Sequence, residues 1–121
     1  MTRAVLIVDD SRAVRDMVSF TLEPQGYSVV TAENGAEGLE RFGSQKFDLV
    51  ITDLNMPVMN GLEFIRQARG AAVNKGVPIV MLSTETKPEL KAEGKAAGAT
   101  GWIDKPFDAD MLAAVARKLA G

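Results

Sequence analysis

Short apolar runs alternate along this chain with longer segments in which apolar residues recur at helical spacing. The apolar runs are rich in β-branched residues and predict buried parallel strands at about residues 4–8, 28–32, 49–53, 77–82 and 100–103. The segments between and after them predict helices at about residues 12–23, 36–42, 62–71, 88–97 and 109–120. This alternation is typical of an α/β fold, in which helices cover both faces of a parallel sheet.

Capping signals support most of these helix boundaries. An Asn or Thr followed three residues later by Glu resembles a capping box, and the pattern occurs at Asn34 with Glu37, Asn60 with Glu63 and Thr86 with Glu89. Asp108 is suited to an N-cap of the last helix. Pro24 and Gly26 are placed to end the first helix, and Gly98 is placed to end the fourth.

Four charged residues stand where predicted strands end. Asp9 and Asp10 follow the first strand, Asp53 ends the third, and Lys105 follows the fifth. Right-handed crossovers predict a doubly wound, five-stranded sheet of order 2-1-3-4-5, whose carboxyl ends share one edge. We therefore expect these side chains to converge. Clustered carboxylates favour a neutralising cation, and an all-oxygen site suits Mg²⁺ and the handling of a phosphoryl group.

The composition of the chain argues against several classes of function. The chain has 121 residues, 46% of them hydrophobic and 25% charged, and we expect one domain over residues 1–121. A net charge of −2 gives no electrostatic case for nucleic-acid binding. No apolar run approaches the ~20 residues that span a bilayer, so we expect no membrane association and a cytoplasmic location. Without cysteine or histidine, the chain has no thiolate, no imidazole base and no phosphohistidine of its own.

The motifs around the strand ends together resemble the receiver domain of two-component response regulators. They are Val8-Asp9-Asp10-Ser11, Asp53-Leu54-Asn55-Met56-Pro57-Val58-Met59-Asn60-Gly61, Met81-Leu82-Ser83-Thr84-Glu85 and Asp104-Lys105-Pro106-Phe107. The resemblance covers nearly the whole chain and is greatest to stand-alone chemotaxis regulators of the CheY type. It implies a flavodoxin-like three-layer α/β/α sandwich, and a cis peptide in the family at the position of Lys105-Pro106.

The resemblance also implies roles for the site residues. Asp53 would be the phosphoacceptor, taking a phosphoryl group from a phosphohistidine on a sensor histidine kinase. Asp10 would bind Mg²⁺ directly and Asp9 mainly through metal-bound water, with Asp53 and the backbone carbonyl of Asn55 completing the protein ligands. Ser83 and Lys105 would each contact a phosphoryl oxygen. Asn55 and Glu85 stand where the family tunes the hydrolysis rate, and they match the short-lived chemotaxis type. Such a receiver catalyses only its own phosphorylation and dephosphorylation and is otherwise not an enzyme.

Switching in the family involves an aromatic residue on the fifth strand, here Trp102, which turns inward as the hydroxyl residue, here Ser83, moves. The usual output face is formed by helix 4, strand 5 and helix 5, and here it includes Lys87, Leu90, Lys91, Lys95, Trp102 and Asp104. By strand alternation Asp104 should point away from the site. Gly94 in the fourth helix either weakens that helix or meets a packing need for a small residue.

The resemblance implies protein partners and leaves more than one role open. The target of a chemotaxis regulator would be the flagellar motor switch, with a phosphatase as a further partner and the chain itself a monomer. A phosphate sink or a phosphorelay shuttle is an alternative. A haloacid-dehalogenase-type phosphatase would need a second Asp, for acid–base catalysis, where Asn55 stands. A flavodoxin-like cofactor binder would need a phosphate-cradling loop where Asp9 and Asp10 stand.

Overall fold

The computed structural model describes residues 2–121, and its elements follow the predicted alternation. Within these residues the strands are β1 (Arg3–Val8), β2 (Tyr27–Ala32), β3 (Leu49–Asp53), β4 (Ile79–Ser83) and β5 (Gly101–Asp104). The helices are α1 (Arg12–Leu22), α2 (Gly35–Phe42), α3 (Gly61–Gly70), α4 (Pro88–Ala97) and α5 (Ala109–Leu119). Across residues 2–121, no helix combines the length and the apolar character that a membrane crossing requires.

The strands form one parallel sheet in the predicted order, β2-β1-β3-β4-β5. The register pairs Val8 with Thr52, Asp53 with Leu82, and Ser83 with Asp104. The carboxyl ends of β1, β3, β4 and β5 are therefore nearly level. This registry places the residues that follow these strands at one edge of the sheet, where open α/β sheets bind their ligands.

The hydrophobic core lies in two layers, one on each face of the sheet. Alternate residues of each central strand face opposite layers, as Leu6 and Ile7 do in β1. One layer packs against α1 and α5, and the other packs against α2, α3 and α4. The chain is thus the predicted flavodoxin-like three-layer α/β/α sandwich. Because both faces are covered, the strands are continuous apolar runs rather than alternating ones.

Several predicted helix caps are present. The side chains of Asn34, Asn60 and Asp108 accept hydrogen bonds from backbone N–H groups three residues on. Gly98 has a left-handed backbone, with φ of 118°, directly after α4. Gly26 likewise ends a 3-10 turn, Glu23–Gln25, which carries Pro24 and replaces the predicted last residue of α1.

Most boundaries agree with the prediction to within one residue, and the start of β4 and the cap of α4 show the differences with the clearest physical cause. Strand β4 begins at Ile79 rather than at Val77, because Pro78 has no N–H to donate to a strand ladder. The predicted capping box of Thr86 with Glu89 does not form. Lys87 is the N-cap residue of α4 and makes no side-chain capping bond, since Pro88 at the first helical position holds the preceding residue in an extended conformation.

Candidate functional site

Three carboxylates converge at the carboxyl edge of the sheet. One oxygen each from Asp9, Asp10 and Asp53 can be chosen so that all three lie within 4.8 Å of one another. Asp9 and Asp53 are buried, whereas Asp10 is exposed. The expected convergence of residues from the first and third strands is therefore present, and the cluster opens to solvent on the side of Asp10.

Lys105 brings a positive charge to the two buried acids. Its Nζ donates to Oδ2 of Asp9 over 3.0 Å and to Oδ1 of Asp53 over 3.2 Å. The Lys105 side chain is only 17% exposed. The backbone N–H of Lys105 donates to the carbonyl of Ser83, which fixes the position from which the side chain reaches across the sheet edge. The Lys105–Pro106 peptide bond is cis.

Backbone N–H groups fix the orientation of the two buried carboxylates. The N–H of Ser11 donates to Oδ1 of Asp9, and the N–H of Leu54 donates to Oδ1 of Asp53, each over 2.9 Å. Ser11 also caps α1, because its Oγ accepts from the N–H of Val14. The start of α1 and the orientation of Asp9 therefore depend on the same residue.

The cluster shifts the proton affinities of its members. Burial raises the pKa of Asp53 above its usual value, and the neighbouring charge of Asp9 raises it further, while Lys105 and the Leu54 N–H oppose these effects. For Lys105, burial lowers the pKa. That effect is outweighed by the hydrogen bond to Asp9 and by the negative charges of Asp9 and Asp53, so the pKa lies above its usual value. Lys105 is therefore a cation at neutral pH, and it faces an acidic site whose charge it only partly offsets.

The other predicted site residues outside β5 lie at or just after the ends of β3 and β4. Ser83 is buried at the end of β4, and its Oγ accepts a hydrogen bond from the N–H of Glu85 over 2.9 Å. Asn55 is exposed in the loop after β3, and Glu85 is half-buried. In this arrangement the Ser83 hydroxyl is bonded to its own loop rather than to Asp53 or Lys105.

Trp102 and Asp104 face the opposite side of β5 from Lys105. The indole packs against the core layer shared with α4. Asp104 Oδ1 lies 3.4 Å from Nζ of Lys91 on α4. The expectation that Asp104 points away from the carboxylates is confirmed, and Trp102 lies on the same face of β5 as Asp104.

Two residues support the site although no role was predicted for them from the sequence: Gly61, which was named there only as part of a motif, and Arg15. A Cβ on Gly61 would collide with the carbonyl oxygen of Asp53, so this position requires glycine for close approach. Arg15 donates from Nη1 to the backbone carbonyl of Asp9 over 2.8 Å and lies 3.5 Å from Glu33. The position of Gly61 directly after the Asn60 cap, at the start of a predicted helix, offers a weak signal, whereas no sequence pattern identifies the Arg15 contact.

The donor set fits a hard divalent cation such as Mg²⁺. Among residues 2–121 the candidate ligands are all carboxylate oxygens, with no histidine nitrogen or cysteine sulfur beside them. Both oxygens of Asp9 already accept hydrogen bonds, from Ser11 and Lys105. Asp10 is exposed and Asp53 retains oxygen lone pairs, so these two carboxylates are the better placed to bind an ion directly.

Solved structures of known proteins share this fold. The chain is similar to the chemotaxis protein CheY4 of Vibrio cholerae, with a TM-score of 0.94 and 48% identity, covering 98% of this chain and 99% of that one. It is also similar to a CheY-like receiver domain protein of Methanospirillum hungatei, with a TM-score of 0.89 and 31% identity, covering 98% of this chain and 94% of that one.

Curated relatives are longer proteins. The response regulator MprA of Mycobacterium tuberculosis is 37% identical over 119 residues, which are 98% of this chain and 51% of that protein. The CAI-1 autoinducer sensor kinase/phosphatase CqsS of Vibrio cholerae is 38% identical over 111 residues, 91% of this chain and 16% of that protein. The chain thus spans about half the length, or less, of these relatives. The family model described as the response regulator receiver domain matches residues 5–117. By this match, and by the fold and strand-end cluster described above, the chain belongs to the receiver domain family of two-component response regulators.

Proposed function

We propose that this receiver domain is a phosphorylation-activated switch in which Asp53 accepts a phosphoryl group from a phosphohistidine on a sensor histidine kinase. The observation that carries the proposal is the contact of Lys105 with Asp9 and Asp53 beside the exposed Asp10. In the transfer, an Asp53 oxygen forms a P–O bond as the P–N bond of the donor breaks. The donor imidazole keeps the electron pair of that bond.

The chemistry requires mainly positioning and charge compensation. A carboxylate is a weak nucleophile, and transfer to it becomes feasible when cations offset the charge of the transferring group. Lys105 supplies one such charge next to Asp53. Mg²⁺, when bound, would neutralise charge and align oxygens, held by Asp10, Asp53 and the Asn55 carbonyl, with Asp9 acting through water.

Switching follows from the new charge on Asp53. A phosphoryl group adds negative charge and strong acceptor oxygens. Ser83 would then exchange its hydrogen bond with Glu85 for one with a phosphoryl oxygen, and Lys105 would bond to another. Both residues end strands that flank α4, so we propose that the face formed by α4, β5 and α5 changes and binds a target protein, with Trp102 as part of the change.

The similarity to CheY4 supports a role in chemotaxis, with the flagellar motor switch as the target. Curated relatives also include response regulators of other kinds, MprA and the phosphate regulon transcriptional regulatory protein PhoB. We therefore propose the receiver switch as the main conclusion and the role in chemotaxis as the more specific proposal. Service as a phosphate sink or relay shuttle remains the alternative, and which protein the phosphorylated chain captures would distinguish them.

Asn55 and Glu85 support a short-lived signal. Each lies two residues after a residue proposed to contact the phosphoryl group, Asp53 and Ser83 respectively. We propose that this pair gives rapid self-catalysed hydrolysis, with no other enzymatic activity. The half-life of the isolated phosphoprotein with Mg²⁺ measures this directly, and persistence for many hours would contradict it.

Labelling with a small acyl phosphate donor tests the acceptor assignment. Asp53→Asn should abolish the acid-labile label that an acyl phosphate gives, because the variant lacks the accepting carboxylate. Asp110→Asn, an exposed change on α5, is the matched control and should label normally. Asp10→Ala should weaken Mg²⁺ binding while the domain stays folded. Undiminished labelling of Asp53→Asn would refute the proposal.

A further inference from the structure

Helix α4 has a glycine where it passes the side chain of Trp102. Gly94 is buried, and a Cβ built on it would lie 2.9 Å from Cζ3 and 3.3 Å from Cε3 of the indole. Carbon atoms in favourable contact are about 3.5–4.0 Å apart. The outer ring of the indole therefore occupies space that a side chain at position 94 would need. We call this contact the Gly94 seat.

The indole is held in the seat by packing and not by a hydrogen bond. Within residues 2–121, Nε1 of Trp102 is buried and has no hydrogen-bond partner. A buried donor without an acceptor is destabilising, whereas ring contacts with the core layer are stabilising. The two effects act in opposite directions. The seated position is thus one that a modest change in packing can disfavour.

A second contact joins α4 to β5 beside the seat. Lys91 precedes Gly94 by three residues and so lies on the same side of the helix. Asp104 follows Trp102 by two residues and lies on the same face of the strand. Their 3.4 Å ion pair has side chains 40% and 56% exposed, so it contributes little by itself. It nevertheless joins the same two elements as the seat, one residue pair along from it.

The surroundings leave room for the indole to move. A surface cavity of about 260 Å³ adjoins Trp102 on the side of Lys91 and Lys95. Another, of about 200 Å³, adjoins it on the side of Val115 and Leu119. Both cavities lie beside β5, an edge strand that has a neighbour on one side only. The ring therefore has free space beside it on two sides of the seat.

We propose that Gly94 is a positioning residue: it seats Trp102 against α4 and thereby couples the position of that helix to strand β5. In this arrangement Lys105 contacts the Asp53 carboxylate and the Ser83 hydroxyl accepts from the N–H of Glu85, so we assign the seat to the protein with an unmodified Asp53. By linkage, an event that draws the end of β5 toward Asp53 and unseats the indole loosens α4, and a change that weakens the seat favours the same event. Only this last step rests on the proposed function, whereas the seat itself does not.

The side-chain N–H of Trp102 gives a direct measurement of the seat. The chain has one tryptophan, so ¹⁵N-labelled protein has one indole N–H resonance. Gly94→Ala should shift that resonance, speed exchange of its proton with water, and raise quenching of the emission by acrylamide several-fold. Gly70→Ala is the matched control, since it adds the same methyl group in a helix where nothing lies within 4 Å. If the indole resonance and the acrylamide quenching of Gly94→Ala equal those of Gly70→Ala, Gly94 does not position the indole and the proposal is wrong.

A smaller ring at position 102 distinguishes displacement of the indole from a general loss of stability. In a Trp102→Phe background the outer ring is absent, so Gly94→Ala should raise the thermal midpoint as Gly70→Ala does, through helix propensity alone. In the wild-type background Gly94→Ala should raise the thermal midpoint less, or lower it. Equal effects of Gly94→Ala in the two backgrounds would overturn the proposal.

The coupling is tested separately from the seat. Mg²⁺ with a small acyl phosphate donor should change Trp102 emission in the wild type, and much less in Gly94→Ala, where the indole has already moved. An undiminished change in Gly94→Ala would overturn the coupling. A wild type that takes up no label would instead contradict the proposed function, because the seat is decided by the unphosphorylated measurements.

Discussion

Removal of the Lys105 charge is the sharpest test of the electrostatic description of the site. Lys105→Met keeps most of the side-chain length and removes the cation that lies 3.0 Å from Asp9 and 3.2 Å from Asp53. Asp9 is fully buried and the Asp53 side chain is only 10% exposed. The variant therefore leaves two buried carboxylates, with Asp10 beside them, and no counter-charge in contact.

The expected cost lies between those of exposed and fully buried ion pairs. Breaking a buried pair costs about 3–5 kcal/mol, whereas an exposed pair contributes about 0–1 kcal/mol. The site opens to solvent at Asp10, and the Ser11 N–H still bonds to Asp9 in the variant. We expect Lys105→Met to lower the free energy of unfolding by about 2 kcal/mol. At a urea m-value of roughly 2 kcal/mol per M, the unfolding midpoint falls by about 1 M.

The pH dependence of this loss follows from the acids that remain. Without Lys105 the pKa of Asp53, already raised by burial and by Asp9, rises further. A raised pKa in the folded state means that the folded protein binds the proton more tightly than the unfolded chain. Stability therefore falls as the pH rises from 3.8, the unperturbed value, through the folded-state pKa. The destabilisation of Lys105→Met should therefore increase as the pH rises from 3.8 through the folded-state pKa.

Urea titrations of four proteins, with a chelator and with Mg²⁺, check this reasoning. Lys118→Met, an exposed change on α5, controls for loss of a lysine. Asp53→Asn added to Lys105→Met should recover most of the lost stability, because it removes one of the uncompensated charges. Mg²⁺ at 100 times its dissociation constant stabilises the folded state by about 2.7 kcal/mol and should also offset the loss. A Lys105→Met midpoint equal to that of Lys118→Met, unchanged by Asp53→Asn, would refute the buried-charge argument.

Two further predictions concern helix packing and the acid itself. Arg69 donates to the carbonyls of Val77 and Gly98 over 2.7–3.1 Å, so Arg69→Ala should lower the free energy of unfolding by about 2 kcal/mol. Urea unfolding beside Arg66→Ala, an exposed change on the same helix, measures this, and equal losses would contradict it. Since burial and Asp9 raise the pKa of Asp53, the wild type without Mg²⁺ should lose stability relative to Asp53→Asn as the pH rises from 3.8 through the folded-state value. Stability curves that run parallel across this range would show that the Asp53 proton is not linked to folding.

The sheet could be predicted from the sequence because its strands are buried on both faces. Runs such as that ending at Val8 show continuous apolar character, which identifies a central parallel strand. The same apolar character made the predicted start of β4 too early, because Val77 is apolar and buried but precedes the hydrogen-bonded ladder. Apolar continuity reports burial, and only the missing N–H of Pro78 marks where pairing starts.

Local cap signals were reliable except where another local rule was stronger. Asn34 and Asn60 cap their helices as their sequence context predicts. Thr86 has the same context but lies one residue too early. Pro88 suits the first turn of a helix and restricts Lys87 to extended backbone, so the helix begins after Lys87.

The convergence of the site could be predicted because it follows from topology alone. Asp9, Asp53 and Lys105 all follow parallel strands, and any sheet of this order brings them to one edge. The Gly94 seat could not be predicted in the same way. It depends on the height at which α4 crosses β5, so the sequence left a weakened helix and a packing need as equal alternatives for Gly94. The 2.9 Å separation decides for packing.

Strand β5 connects these two regions because its side chains alternate. Lys105 is directed to the carboxylates on one side, while Asp104 and Trp102 are directed to α4 on the other. A displacement of Lys105 toward a modified Asp53 moves the same four-residue strand that carries Trp102. Because β5 lies at the edge of the sheet, it is paired on one side only and is less restrained against such movement than the central strands. The short route from the acid cluster to α4 therefore runs along this backbone, and the Gly94 seat lies at its far end.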